Sequence, residues 1–222
     1  MEHDKFMQYG RGLGLWQNPR KSIEPDPIKY FRDDPVYLTP PKEQYFSSAP
    51  IINMERERVD SIIKNEPAIF EIAENVNAKS GKPLIELDFF DEVDANEGII
   101  DAAAKEMDLN PSLLKAVVYM ESTHGYYDRL HPQNRTFRPM NISYETWGGI
   151  AQELGYTKDQ IINDPVANIR TGAVILKRIS ARVPNPTIRK VASIYNFTGA
   201  ESVTDYGARV DAISKQVLWK MR

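Results

Sequence analysis

Three times after residue 96 the chain sets an Asn or Asp directly before a proline: Asn110-Pro111, Asp164-Pro165 and Asn185-Pro186. Each pair is a helix-start signal. The side-chain oxygen can cap free backbone N–H groups, and a proline in the first helical position lacks only an N–H that would have no partner there. After Asp164-Pro165 the residues Val166, Ile169, Ala173, Leu176 and Ile179 recur at helical spacing. Ile99, Ile100, Ala103 and Met107 line a second apolar face, and a last helix is predicted from about Val203 to Trp219. Everything from Asn96 onward reads helical, so the body is predicted to be all-α.

The first half has a different texture. Residues 1–50 hold seven of the fifteen prolines together with Tyr9, Trp16, Tyr30, Phe31, Tyr37, Tyr45 and Phe46. Proline at that density removes backbone donors and blocks helix, while so many aromatic rings argue against a free linker. Residues 1–52 are therefore predicted to form an extended or irregular arm that packs on this chain's own core or on a partner. Residues 53–95 are predicted to form a small helical leader packing on the core. It comprises a first helix over Met54–Asn65 and a second opening at Pro67 and running to about Lys79. Leu84–Phe90 reads equally as a short strand or as the lead-in to the next helix. The all-α body then spans 96–222.

Composition narrows the function. No stretch approaches the ~20 apolar residues that cross a bilayer, so membrane insertion is not expected. The opening Met1-Glu-His-Asp-Lys-Phe lacks the basic and apolar regions of a signal peptide. With no cysteine, disulfides and thiolate metal sites are excluded. Residues 95–222 carry 16 basic and 13 acidic side chains, and residues 1–94 carry 12 and 18. A mildly basic module behind an acidic leader suits an anionic polymer, but it lacks the concentrated Lys/Arg stripe that nucleic acid requires.

One residue does not fit its face. In Pro111–Ser122 the residues Leu114, Val117, Val118 and Glu121 fall at i, i+3, i+4 and i+7, which puts a glutamate in an apolar stripe. It also lies in the last helical turn, ahead of Gly125, where the helix dipole disfavours negative charge. Desolvation and dipole both push a glutamate above its usual value of about 4.3, which keeps a general acid protonated near neutral pH. The structural alternative is a half-exposed glutamate paired with an arginine such as Arg138.

The stretch Ile100–Ser122, with a helix, a short turn and a second helix ending in Glu-Ser, resembles the opening of the soluble lytic transglycosylase family and its goose-type lysozyme relatives. Four further blocks follow in that family's order. Pro139-Met-Asn-Ile-Ser143 stands where the family has Gly-Leu-Met-Gln-Ile. Asn163–Leu176 resembles its Asp-Pro…Asn-Ile…Gly-Ala…Leu helix. Val191–Asn196 with Gly199 is similar to its Ala-x-Tyr-Asn-x-Gly motif, and Tyr206-Gly-Ala-Arg-Val210 to its final tyrosine motif. The resemblance covers about residues 97–215. It departs at the loop that shapes the sugar groove, where Phe137-Arg138-Pro139 replaces the glycine pair and Asn141 replaces glutamine.

The resemblance implies a lysozyme-like helical domain that cleaves the MurNAc–GlcNAc bond of peptidoglycan glycan strands without a cofactor. It implies Glu121 as the catalytic acid, with Ser122, Met140, Asn141, Tyr195, Asn196 and Tyr206 lining the groove. In such an enzyme the glutamic acid protonates the leaving oxygen and then accepts the proton of the muramic 6-hydroxyl, which closes a 1,6-anhydro ring. Tyr195 and Asn196 would position the N-acetyl group; their structural alternatives are core packing for the ring and helix capping for the amide. Asp128 is the candidate second carboxylate: holding a water across the groove, it would make the protein a hydrolysing muramidase instead. A non-catalytic peptidoglycan-binding module is the third alternative. His124, Asp128 and His131 have a spacing that would suit a metal on one continuous helix, but Gly125 and Pro132 interrupt it, so no metal is expected.

A wall-cutting enzyme made in the cytoplasm without a signal peptide needs another route to the periplasm. The expected routes are injection as a type VI secretion effector or release as a phage lysin or tail-associated lysozyme. The implied partners are a secretion-apparatus or phage-structural protein and, for an effector, a periplasmic immunity protein plugging the groove. The Arg-Pro-Met-Asn-Ile form of the loop also resembles lysozyme-like modules of polymorphic toxins.

Overall fold

Two of the three Asn/Asp-Pro pairs, Asn110-Pro111 and Asp164-Pro165, stand directly at helix starts. The computed structural model describes residues 49–81, 91–124 and 139–221, and among them the chain is helical, with no strand and one isolated parallel bridge between Ala73 and Ser202. In chain order the helices are α1 (Ala49–Ile63), α2 (Glu92–Ala95), α3 (Glu97–Glu106), α4 (Pro111–His124), α5 (Tyr144–Glu153), α6 (Lys158–Asn163), α7 (Pro165–Ser180), α8 (Ile188–Asn196) and α9 (Asp205–Gln216). A single 3₁₀ turn, Leu218–Lys220, ends the described chain. The fold class is all-α. The arm over 1–48 and the segment 84–90 lie outside the described residues.

Local chemistry accounts for the boundaries. Asp164 caps α7 by accepting from the Val166 N–H at 2.8 Å, with Pro165 in the first helical position. Asn110 accepts from the Ser112 N–H at 2.9 Å ahead of α4. The third pair behaves differently. Asn185 sits in the left-handed region at φ 50°, and the helix starts two residues after Pro186, capped by Thr187. The final helix is also shorter than expected: Val217, at φ 52°, ends it before Leu218.

The second leader helix predicted after Pro67 is absent. Residues 66–81 contain no helical turn; they run across the body, where Phe70 N–H bonds Arg182 O (2.8 Å) and Ala73 N–H bonds Glu201 O (2.8 Å). The reason is a period of two. Phe70 and Ile72 are buried while Ile69 and Glu71 are exposed, the alternation of an extended chain lying on a core. Three arginines clamp the leader down. Arg58, 6% exposed, donates to Thr198 O, Ala200 O and Glu71 O at 2.8–2.9 Å and stacks over the Phe70 ring. Arg178 bonds the carbonyls of Ile62 and Ile63, and Arg182 those of Ser61 and Glu66. The carbonyls that close α1 are thereby satisfied from α7 and the turn after it.

One apolar core unites these elements. Ile62 of α1, Ile100 of α3, Leu114 and Met120 of α4, Ile150 of α5, Ile169 and Ile175 of α7 and Ile194 of α8 all fall within it. α9 packs along α8 and against α4, which brings the start of α9 to the end of α4.

Candidate functional site

The carboxyl of Glu121 meets a phenol at that junction. Tyr206 Oη, in the first turn of α9, donates to Glu121 Oε1 at 2.5 Å across 85 residues of sequence. Below the glutamate, Leu114, Val117 and Val118 are fully buried, so the side chain does stand among apolar residues; Glu121 itself is half-buried. The arginine-paired alternative involves Arg138, which lies outside the described residues.

Two backbone arrangements seat this pair. At the end of α4, Ser122 Oγ bonds Val118 O and Thr123 Oγ1 bonds Tyr119 O at 2.7 Å, so hydroxyls occupy carbonyls of the last turns. At the start of α9, Thr204 caps Gly207 N–H at 3.2 Å, and α8 and α9 touch through Gly207 itself. A Cβ there would fall 2.0 Å from Ser193 Oγ and 2.2 Å from Arg189 O. The missing side chain lets α9 approach until the Tyr206 phenol reaches the glutamate.

The second arm of the site is the turn at Met140-Asn141, gripped from three directions. The Met140 N–H donates to Asn168 Oδ1 (2.9 Å), and its carbonyl accepts from Tyr195 Oη (2.7 Å). Its side chain lies over Gly172, where a Cβ would come 2.6 Å from Sδ. Asn168, 1% exposed, completes its own bonding by donating to Ile161 O at 2.9 Å. Held this way, Asn141 adopts φ 50°, a left-handed conformation that asparagine tolerates better than most residues. Its Oδ1 is buried with no hydrogen-bond partner, and so is Nδ2 of Asn196 at the end of α8.

Electrostatically the two phenols report the carboxyl. Burial first, and then the Glu121 charge, hold both Tyr195 and Tyr206 well above the usual tyrosine range; Tyr206 is raised further by Tyr195 and by its own bond to Glu121. Both stay protonated throughout the physiological range, so Tyr206 is a permanent donor. Through that bond Tyr206 orients the Glu121 carboxyl from its Oε1 side.

The structure thus brings Glu121 and Tyr206 into direct contact and joins Met140 to Tyr195. Tyr206 holds the glutamate; Tyr195 supports the Met140 turn; the Ser122 hydroxyl is turned back onto its own helix. Asp128 and His131 lie outside the described residues, as does the side chain of His124. Among the described residues no group of three or more His, Asp or Glu side chains is arranged to hold a metal. Sequence reasoning gave no role to Asn168 or Gly172, although an amide and a glycine inside an otherwise apolar helical stripe are each costly enough to signal a close approach.

Comparison with known proteins adds no relative: no protein family, no curated protein and no solved structure matches the chain.

Proposed function

We propose that this protein is a lysozyme-like, peptidoglycan-cleaving lytic transglycosylase acting on the MurNAc–GlcNAc bond. The observation that carries the reading is the 2.5 Å hydrogen bond from Tyr206 to Glu121. The first and last of the five resembling blocks supply its two ends, and a chance assortment of weak motifs has no reason to pair a helix-end glutamate with that tyrosine. The Tyr195–Met140 bond, joining the second and fourth blocks, supports it independently.

The chemistry follows from one carboxyl group. In its protonated form, Glu121 gives its proton to the glycosidic oxygen as the C–O bond breaks and an oxocarbenium-like centre forms. The carboxylate then takes the proton of the muramic 6-hydroxyl while that oxygen bonds to the anomeric carbon. The products are a 1,6-anhydro sugar and a free GlcNAc 4-hydroxyl, and Glu121 is again protonated. Tyr206 holds the carboxyl in place through both steps. The unpartnered Oδ1 of Asn141 and Nδ2 of Asn196 suit the N–H and C=O of an N-acetyl group. In the same reading the enzyme is delivered to a rival's periplasm as a secreted antibacterial effector, with an immunity protein covering the groove.

Mass analysis of fragments released from purified sacculi tests the activity. Anhydro-muropeptides support the proposal, hydrated products convert it to a muramidase, and no products refute enzymatic cleavage. Glu121→Gln keeps the shape and loses the proton, so activity should fall by at least the ~10²–10⁴-fold typical of a general acid. Asp128→Asn should change the rate only modestly, because the transglycosylase route needs no second carboxylate.

A further inference from the structure

At the opposite end of α4 from Glu121 lies a cavity of about 510 Å³, a size typical of small-molecule sites. Ser112 lines it, nine residues before Glu121, which at 1.5 Å per residue puts the two roughly 13 Å apart along the helix. Lys105, Lys115 and Lys220 stand around it with one carboxylate, Asp101, and Leu109, Val217 and Trp219 form apolar wall. The lysines are not equivalent. Lys115 is bound to Glu97 at 2.8 Å and to Asp101 at 3.0 Å, whereas Lys105 and Lys220 are exposed and form no ion pair among the described residues. The cavity therefore keeps uncompensated positive charge beside apolar wall. Trp219 adds an independent observation: the ring is 4% exposed, and its indole Nε1–H, its sole polar group, has no acceptor. A buried donor without a partner is uncommon and marks a place where an acceptor is wanted.

We infer that this cavity is a second ligand site, separate from the Glu121 site, and that it takes an organic carboxylate bearing an apolar group, as at the C-terminus of a peptide. The carboxylate lies between the Lys105 and Lys220 ammonium groups, and the apolar group lies against Leu109, Val217 and Trp219. A free inorganic anion would satisfy the lysines but leave the apolar wall and most of the volume unused. The inference does not depend on the reaction proposed for Glu121.

The test is titration of the full-length protein with three probes: N-acetyl-Ala-Leu with a free carboxylate, its C-terminal amide, and inorganic phosphate. Binding is followed by backbone amide NMR shifts and by tryptophan fluorescence. The free acid should bind saturably, shifting Leu109 and Val217–Lys220 and leaving Tyr206 unmoved. The amide should bind at least ten-fold more weakly, as should the free acid to Lys105→Ala/Lys220→Ala, whose two changes touch only exposed side chains. Trp219→Phe should weaken binding several-fold and remove most of the fluorescence response. Equal binding of acid and amide, phosphate binding as tightly as the peptide, or shifts that gather around Glu121 would each overturn the inference.

Discussion

Tyr206→Phe isolates one hydrogen bond. The ring stays, the phenol is 7% exposed, and the atom removed is the donor to Glu121 Oε1. Glu121 becomes a carboxylate as it gives up its proton, and a hydrogen bond to a charged group is worth about 1.5–3 kcal/mol. At 1.36 kcal/mol per decade, that is a loss of roughly ten- to 150-fold if the bond is used fully in orienting the reacting carboxyl. Tyr195→Phe is the matched control. It removes a second phenol hydroxyl, one whose acceptor is the neutral carbonyl of Met140 at 2.7 Å. A neutral bond contributes about 0.5–1.5 kcal/mol, so the loss there should stay between about two- and twelve-fold. Release of soluble fragments from sacculi, at matched concentrations of folded protein, gives both rates, and urea melts separate folding from function. If Tyr206→Phe retains activity within three-fold of the parent, or if Tyr195→Phe is the more damaging, the phenol merely packs and its role at the carboxyl is wrong.

Alkaline pH should unfold the protein through the same two phenols. Both are held above the usual range of about 10 by burial and by Glu121, so the folded state keeps protons that the unfolded chain gives up. Stability is then unaffected by them below about pH 10 and falls above it, by up to about 2.7 kcal/mol per pH unit for the pair. Urea melts at pH 9 and 11 should show that slope, and it should shrink in Tyr195→Phe/Tyr206→Phe. Gly172→Ala puts a Cβ 2.6 Å from Met140 Sδ and 3.0 Å from its Cβ. Helix propensity returns about 1 kcal/mol and overpacking costs about 1–3, so a lower melting temperature and reduced activity are expected. A raised melting temperature would show that Met140 moves aside freely. Val217→Gly should stabilise the fold by about 1 kcal/mol, because a β-branched residue at φ 52° is strained where glycine is not. Unchanged thermal unfolding would mean that the strain is already relieved elsewhere.

Features that depend on a few neighbouring residues were legible in the sequence. Asp164-Pro165 starts its helix because the cap and the fixed proline φ act within one turn. Pro67 misled for the same reason. Its local preference for a helix start was overridden by the burial of Phe70 and Ile72 and by bonds to Arg182 and Glu201, more than a hundred residues away. Glu121 was found by a face argument, yet α4 is buried on nearly every side, Leu113, Ala116, Tyr119 and Met120 included. Periodicity alone therefore had little power to single the glutamate out. Chain order carried that choice. Its partner could not be read at all, since no local rule pairs residue 121 with residue 206.

The unsatisfied atoms sharpen the case for a ligand beside that pair. Oδ1 of Asn141 and Nδ2 of Asn196 are each buried without a partner, at a cost of about 1–3 kcal/mol apiece. Asn141 also occupies a left-handed conformation that an asparagine enters less readily than a glycine. A protein under selection for stability alone would relax a strained turn with an idle amide, because single substitutions readily remove such costs. Here the turn is instead fixed three times over, by Asn168, by Gly172 and by Tyr195. Rigidity applied to unsatisfied amides has no structural use, whereas it is what a site needs to meet an incoming amide without reorganising. One acceptor on Asn141 and one donor on Asn196, the chain neighbours of Met140 and Tyr195, suit a secondary amide better than a bare hydroxyl. In the proposed function, that preference is what would favour an N-acetylated sugar over a simple glucan at this site.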